Sequence, residues 1–218
     1  MAASLLRDAS CCALDLHCDE ASGRSCTAAR TCEPGTLLCQ DVAFAIALEP
    51  EHRGKRCGFC TAALDPSTCS ACKACGLITV CLSCESVGAR AWHSDEECEE
   101  LRRLADGDAD SVGSLVLLAT RVILRRRAEA SDERHAARRA VLDSLCTSQG
   151  MEELQAAGHG IAEICGGITA ALDSPLHPAR VLGACCVNTH ALTDLTLPLG
   201  EQTLGLGLFL ALSLFNHA

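Results

Sequence analysis

Tyrosine is absent from this 218-residue chain, tryptophan occurs once and phenylalanine four times. Large rings normally fill a domain's core and build the platforms on which single-stranded nucleic acid stacks, so this scarcity argues against a base-stacking surface. Positive charge is also short, with 18 lysines and arginines against 28 acidic residues and a net charge of −10. That balance gives the whole surface no attraction for nucleic acid or anionic membrane, although a local basic face remains open. Long hydrophobic runs are missing: the longest, residues 204–215, falls short of the roughly 20 residues a bilayer-spanning helix needs. The opening stretch MAASLLRDASCCALDLHC is broken by Arg7 and Asp8 and does not read as a secretory signal. The expectation is a soluble protein of a reducing compartment, cytoplasmic and/or nuclear.

Cysteine is what the chain has in excess, at 18 residues. In a reducing compartment thiols stay free, bind metal or do chemistry. Their spacing between residues 57 and 98 favours metal: Cys57 and Cys60, Cys72 and Cys75, and Cys81 and Cys84 each have two residues between them, and His93 and Cys98 follow. Two thiolates at that spacing reach one tetrahedral ion without strain, and eight ligands make two closed zinc sites. A closed site leaves no position for water, which makes the metal structural rather than hydrolytic. A segment whose only rings are Phe59 and Trp92 cannot fold on buried surface alone, whereas structural zinc supplies roughly 10–16 kcal/mol of apparent free energy. Chelation is therefore expected to unfold it. Cys69 precedes Cys72 at the same spacing, so a shifted register using Cys69 and Cys72 stays open.

The flanks change character. Residues 21–49 read as β, with turns at Ser22-Gly23-Arg24 and Glu33-Pro34-Gly35 and a strand pair drawing on Leu37, Leu38, Val42, Phe44 and Ile46. From Glu97 to Asp173 the apolar spacing turns helical: Leu115, Val116, Ala119, Val122 and Ile123, then Ala137, Val141, Leu142 and Leu145, then Leu154, Ala157, Ile161, Ile164 and Ile168. One more helix runs to about Asn188, and a glycine-punctuated run around Gly205 and Gly207 follows. Arg121, Arg125, Arg126, Arg127, Arg134, Arg138 and Arg139 form a basic run that reads as a solvated helix face. His135, His159, His177 and His190 stand near no second ligand pair and read as surface or satisfied histidines.

The order of the cysteine cluster resembles a MYND-type zinc finger. The resemblance implies interleaved sites, with Cys57, Cys60, Cys81 and Cys84 on one ion and Cys72, Cys75, His93 and Cys98 on the other. The spacing departs from the family's at Val80, where a ring is usual, at Cys84, one residue early, and at Cys98, one residue late. The flanks resemble a SET domain: Gly23-Arg24 and Glu33-Pro34-Gly35-Thr36-Leu37-Leu38 are similar to its opening, Cys186-Val187-Asn188-Thr189-His190 to its C-N segment, and residues 205–217 to its glycine and N-H segments. A SET domain split by a MYND finger and a helical insertion is the order of the SET-and-MYND lysine methyltransferases. On that resemblance the expected architecture is α+β: an incomplete, split, β-rich SET domain with an inserted zinc-bound finger and a helical insertion. Residues 1–56 would be its first part, 57–98 the finger, 99–185 the helical insertion and 186–218 the start of its second part.

The family implies an S-adenosylmethionine site, which falls here on Gly23, Asn188, Asn216 and His217. Ser25 stands where the first turn's second glycine would be. The family's catalytic tyrosine segment would lie beyond Ala218, so no catalytic residue is assigned and residues 1–218 by themselves are expected to lack methyltransferase activity. Residues 204–215 are then expected to form an apolar edge without partner strands. Three classes of function follow: part of a protein-lysine methyltransferase acting on a lysine substrate, a non-catalytic finger docking a protein or peptide partner, and a zinc-dependent nucleic-acid binder, which acidity and the lack of rings disfavour.

Overall fold

The computed structural model describes residues 14–19, 23–67, 69–87, 93, 95–105, 113–145 and 178–214. It is mixed helix and strand, as the α+β expectation held. Strands β1 (Leu14–Asp19) and β2 (Gly23–Ala28) form an antiparallel hairpin. A second, three-stranded sheet has β7 (Thr203–Leu208) in the middle, flanked by β3 (Ala45–Leu48) and β6 (Thr189–Thr193), all antiparallel. The short pair β4 (Ser70–Ala71) and β5 (Thr79–Val80) belongs to the cysteine-rich segment. The helices are α1 (Leu82–Ser86), α2 (Asp95–Ala105), α3 (Ser114–Ala128), α4 (Ala136–Asp143) and α5 (Pro178–Asn188). Among the described residues no helix is long and apolar enough to cross a membrane.

The central position of β7 overturns one expectation. Leu204, Leu208, Leu210 and Leu214 are buried, because β3 and β6 cover both edges of the strand and α3, itself backed by α5, lies against the sheet. The run is the middle of a core, not an uncovered edge. Its glycines also have packing reasons. At Gly205, with φ +158°, a Cβ would lie 2.1 Å from the carbonyl oxygen of Ala47, so only glycine lets β3 come this close. At Gly207 a Cβ would stand 2.6 Å from the Phe209 ring and 3.1 Å from a methyl of Leu192.

The strand pair expected within residues 21–49 is not formed. Residues 36–43 are irregular, Leu37 and Val42 are exposed, and β3 begins only at Ala45, finding its partner some 160 residues later in β7. Ala45 and Ala47 suit a strand covered on both faces, which is how β3 is used: all four of its residues are buried. Asp41 fastens this loop to the far end of the chain, accepting the backbone N–H groups of Ala211 at 2.7 Å and Leu212 at 3.4 Å. Burial raises its pKa, against the pull of those two donors. Cys39 is disulfide-bonded, an exception to the expectation that thiols stay free or metal-bound.

Helix α3 carries the core. It buries Leu117, Leu118, Val122, Ile123 and Leu124, each contributing on the order of 1.5–3 kcal/mol. Ala130, Ser131 and Asp132 lie in the break between α3 and α4, and the helix expected to end near Asn188 is α5. The helical pattern at residues 154–168 lies outside the described residues. Leu77, Ile78 and Val80 of the cysteine-rich segment share one contiguous apolar cluster with Leu101, α3 and the sheet. The segment is docked on the core rather than tethered to it.

Candidate metal centre

Each of the first two cysteine pairs opens a tight turn. The chain leaves Cys57-Gly58-Phe59-Cys60 through Thr61 at φ +60° and leaves Cys72-Lys73-Ala74-Cys75 through Gly76 at φ +70°. The residue after each pair thus takes the left-handed conformation that folds the chain back, which glycine adopts freely and threonine only under constraint. Backbone bonds hold both turns: Thr61 N–H donates to the carbonyl of Cys57 at 3.0 Å, and Gly76 N–H to that of Cys72 at 2.9 Å. The strands β4 and β5 staple them together, with Gly58 N–H donating to Thr79 and Cys72 N–H to Ile78, each at 2.8 Å.

The third pair sits on a helix start. Cys81 is the N-cap of α1, and its Sγ accepts the N–H of Cys84 at 3.4 Å. Positions three apart share a helix face, so Cys84 reaches the same side as Cys81. His93 precedes α2 and Cys98 lies in its first turns, so the i, i+5 spacing spans a helix entry rather than regular helix.

The side chains gather in two groups. Cys57, Cys60, Cys81 and Cys84 form one, and Cys72, Cys75, His93 and Cys98 the other, with all potential ligand atoms in each group within 4.8 Å of one another. Cys60 and Cys81 stand with sulfurs 3.7 Å apart, Cys72 and Cys98 3.4 Å apart, and Cys75 Sγ lies 3.4 Å from His93 Nε2. Zinc–sulfur bonds of about 2.3 Å in a tetrahedron set sulfurs about 3.8 Å apart, so both groups can hold a metal ion and are compatible with two zinc ions. The eight expected ligands are all brought together, in the interleaved arrangement. Cys69 belongs to neither group; its N–H donates to the Asp65 carbonyl.

The electrostatics of the groups fit a dication. Burial raises the Cys72 pKa, but the N–H of Cys75 and the neighbouring His93 and Cys98 outweigh it and bring the thiol down to about 6. The N–H of Cys84 lowers Cys81 to about 7. Their neighbours move the other way: burial, then the adjacent thiols, push Cys98 up to about 12 and Cys84 higher still. Four crowded ligands cannot all ionise without a cation among them, and a divalent ion removes that conflict.

Sequence spacing missed the supports of the second group. His93 Nδ1 faces Glu97 Oε2 at 3.5 Å, and Glu97 Oε1 accepts from Arg121 Nε at 2.7 Å. Arg121 donates through Nη1 to the carbonyls of Ile46 at 2.7 Å and Gly58 at 3.1 Å, and its guanidinium lies 5.0 Å from the Phe59 ring centroid. A strut therefore runs from the second group through α2 and α3 to β3 and to the first cysteine turn. Glu97 and Arg121 are both buried, so the basic run is not a solvated face at this point. Arg125 likewise reaches the Phe44 carbonyl, and Arg126 pairs with Asp143 at 2.7 Å. Two signals were available: Glu97 stands four residues after His93, and Arg121 interrupts the apolar stripe of Leu117, Leu118 and Leu124.

Of the residues assigned to a cofactor, Gly23 is the first residue of β2, opposite Asp19 at the hairpin end. Asn188 ends α5, its Nδ2 donating to the Ala184 carbonyl and its own carbonyl 3.4 Å from Ser213 Oγ. Asn216 and His217 lie outside the described residues. No protein-family model matches the chain, and no curated protein matches it either.

Proposed function

We propose that residues 57–98 are a MYND-type finger held by two zinc ions and that this finger is a protein-binding module. The observation that carries the reading is the sorting of the ligands into two interleaved sets, with the single histidine in the second. Interleaving ties the first and third pairs across the second, so each ion closes its own loop of the segment. With every position protein-supplied, the metal's chemistry is structural: it fixes the turns and α1. A partner surface is supported by Leu82 and Val87 at the two ends of α1, which are 56% and 82% exposed in a segment otherwise short of large side chains. The fitting partner is a peptide with apolar side chains.

The test is metal analysis of the purified chain. Two zinc ions per chain are expected, with cobalt substitution giving the absorption of one all-thiolate and one three-thiolate, one-imidazole tetrahedral site. Substituting Cys57 and Cys81 together by serine should lower the content to about one ion, because both serve the same site. Loss of both ions would favour sequential pairing and sink the finger assignment.

A second reading, part of an S-adenosylmethionine-dependent protein-lysine methyltransferase of the SET type, is favoured by one observation. The segments similar to SET motifs converge: β6 and β7 are neighbours, Ser213 meets Asn188, and Cys26 of β2 lies 3.8 Å from the Leu214 carbonyl. Equilibrium dialysis with labelled S-adenosylmethionine tests it. No saturable binding to the zinc-loaded chain would remove this reading and leave the finger standing.

A further inference from the structure

A cavity of about 600 Å³ opens between the finger, β3, α3 and the start of α4. That size and a mostly apolar wall with a few polar groups are the marks of a small-molecule pocket. Phe44, Ile46, Phe59 and Leu124 supply the apolar wall, and the exposed Val42 and Val87 form an apolar lip. None of the described residues in the segments similar to SET motifs lines it.

The charges around the cavity balance. Arg121 is held by Glu97 at 2.7 Å, Arg125 by Glu129 Oε1 at 3.0 Å, and Asp132 is engaged by Arg134 at 2.7 Å. Arg138 Nη2 stands 3.5 Å from the same Glu129 oxygen, and its charge also acts on the carboxyl of Asp41. Guanidiniums and carboxylates thus match in number, which favours neither an anion nor a cation as the occupant.

Hydrogen bonding at the same end is incomplete. Glu129 is 8% exposed, and its second oxygen, Oε2, is buried with no hydrogen-bond partner among the described residues. Arg138 keeps its 3.5 Å ion pair and lies 5.2 Å from the Phe44 ring centroid, but it donates no hydrogen bond among the same residues. His135 Nδ1, 3.5 Å from Asp132 and 3.9 Å from Glu129, is a further buried atom without one. Buried polar groups are normally hydrogen-bonded. An acceptor on Glu129 and a donor on Arg138 therefore stand side by side, each lacking a partner of the opposite kind. A carboxylate only accepts and an ammonium only donates, so either would leave one of the two without a bond, whereas a hydroxyl does both.

We propose that this cavity binds a small, neutral, apolar molecule bearing a hydroxyl, its body against Phe44 and Phe59 and its hydroxyl between Glu129 and Arg138. The hydroxyl donates to Oε2 and accepts from the guanidinium. The terminal torsion of a glutamate is broad, so Oε2 can turn to the hydroxyl without a change of rotamer. Because Phe59, Cys60 and Cys84 form one wall, the site rests on the metal-held finger of the proposed function. Zinc content measured on the same sample separates failure of the finger from failure of the pocket.

The test is equilibrium dialysis of the zinc-loaded chain at neutral pH against naphthalenes that differ only in head group: 2-naphthol, 2-methoxynaphthalene, 2-naphthoate and 2-naphthylmethylamine. 2-Naphthol is expected to bind one to one and more tightly than either ion. It should exceed the methoxy ether, which accepts but cannot donate, by roughly tenfold or more, the worth of a hydrogen bond to a charged group. Decanol, dialysed in parallel, tells an aliphatic body from an aromatic one. Arg138→Met keeps the stem over Phe44 and removes the donor, so it should weaken 2-naphthol by roughly tenfold without changing zinc content. Absence of saturable binding, an ether or an ion that binds as tightly as the naphthol, or unchanged naphthol affinity in folded Arg138→Met would each overturn the proposal. Should that variant fail to fold, the head-group series on the parent chain decides alone.

Discussion

Glu97→Ala cuts the strut between the second metal group and the core, and the structure sets the size of the effect. The carboxylate is 3% exposed and Arg121 is 7% exposed, so the substitution leaves a buried guanidinium facing the Ile46 and Gly58 carbonyls and the Phe59 ring, without the carboxylate that balances its charge. Breaking a buried pair from one side costs about 3–5 kcal/mol. His93 also loses the group facing its Nδ1, and removing such an outer partner weakens metal binding by roughly 10- to 100-fold. Zinc release to a chromogenic chelator should therefore become two-phased, with the ion on Cys72, Cys75, His93 and Cys98 leaving early and the other little changed. The urea midpoint should fall with it. Adding Arg121→Met removes the stranded charge, so the double variant should be more stable than the sum of the two single losses predicts. Equal acceleration of both ions, an unchanged release curve, or strict additivity would refute the strut.

Two further outcomes follow from particular contacts. Gly205→Ala should destabilise the chain by about 3 kcal/mol or more, since its methyl would meet the immovable Ala47 carbonyl, whereas Gly207→Ala meets side chains that can shift and should cost less; paired urea melts check the order. Cys69→Ser should leave zinc at the parent value, because Cys69 stands outside both ligand groups; loss of an ion on metal analysis would restore the shifted register.

The candidate ligands were legible because metal coordination is local chemistry: thiolates paired with two residues between them point to a shared ion. The helices were legible for a similar reason, since apolar residues at three-to-four spacing mark Leu117, Leu118 and Val122 as one face. Strand pairing was not. Thr36 to Leu48 looks like local β structure, yet β3 pairs with β7 across most of the chain, and nothing in either segment names the other. The arginine run misled for a related reason. Charge in a sequence suggests solvent, but Arg121 is buried because Glu97 and two backbone carbonyls, from three other segments, converge on it.

By itself the sequence determined that eight side chains could close two metal sites and that helix and strand would be mixed, since both follow from residue type and spacing along a few turns. Tertiary structure alone decided the rest. It made Thr203–Leu208 the covered centre of a sheet and gave the second site its carboxylate–arginine strut. Those features depend on which distant segments meet, and burial gives a charge or a glycine its meaning only after they have met.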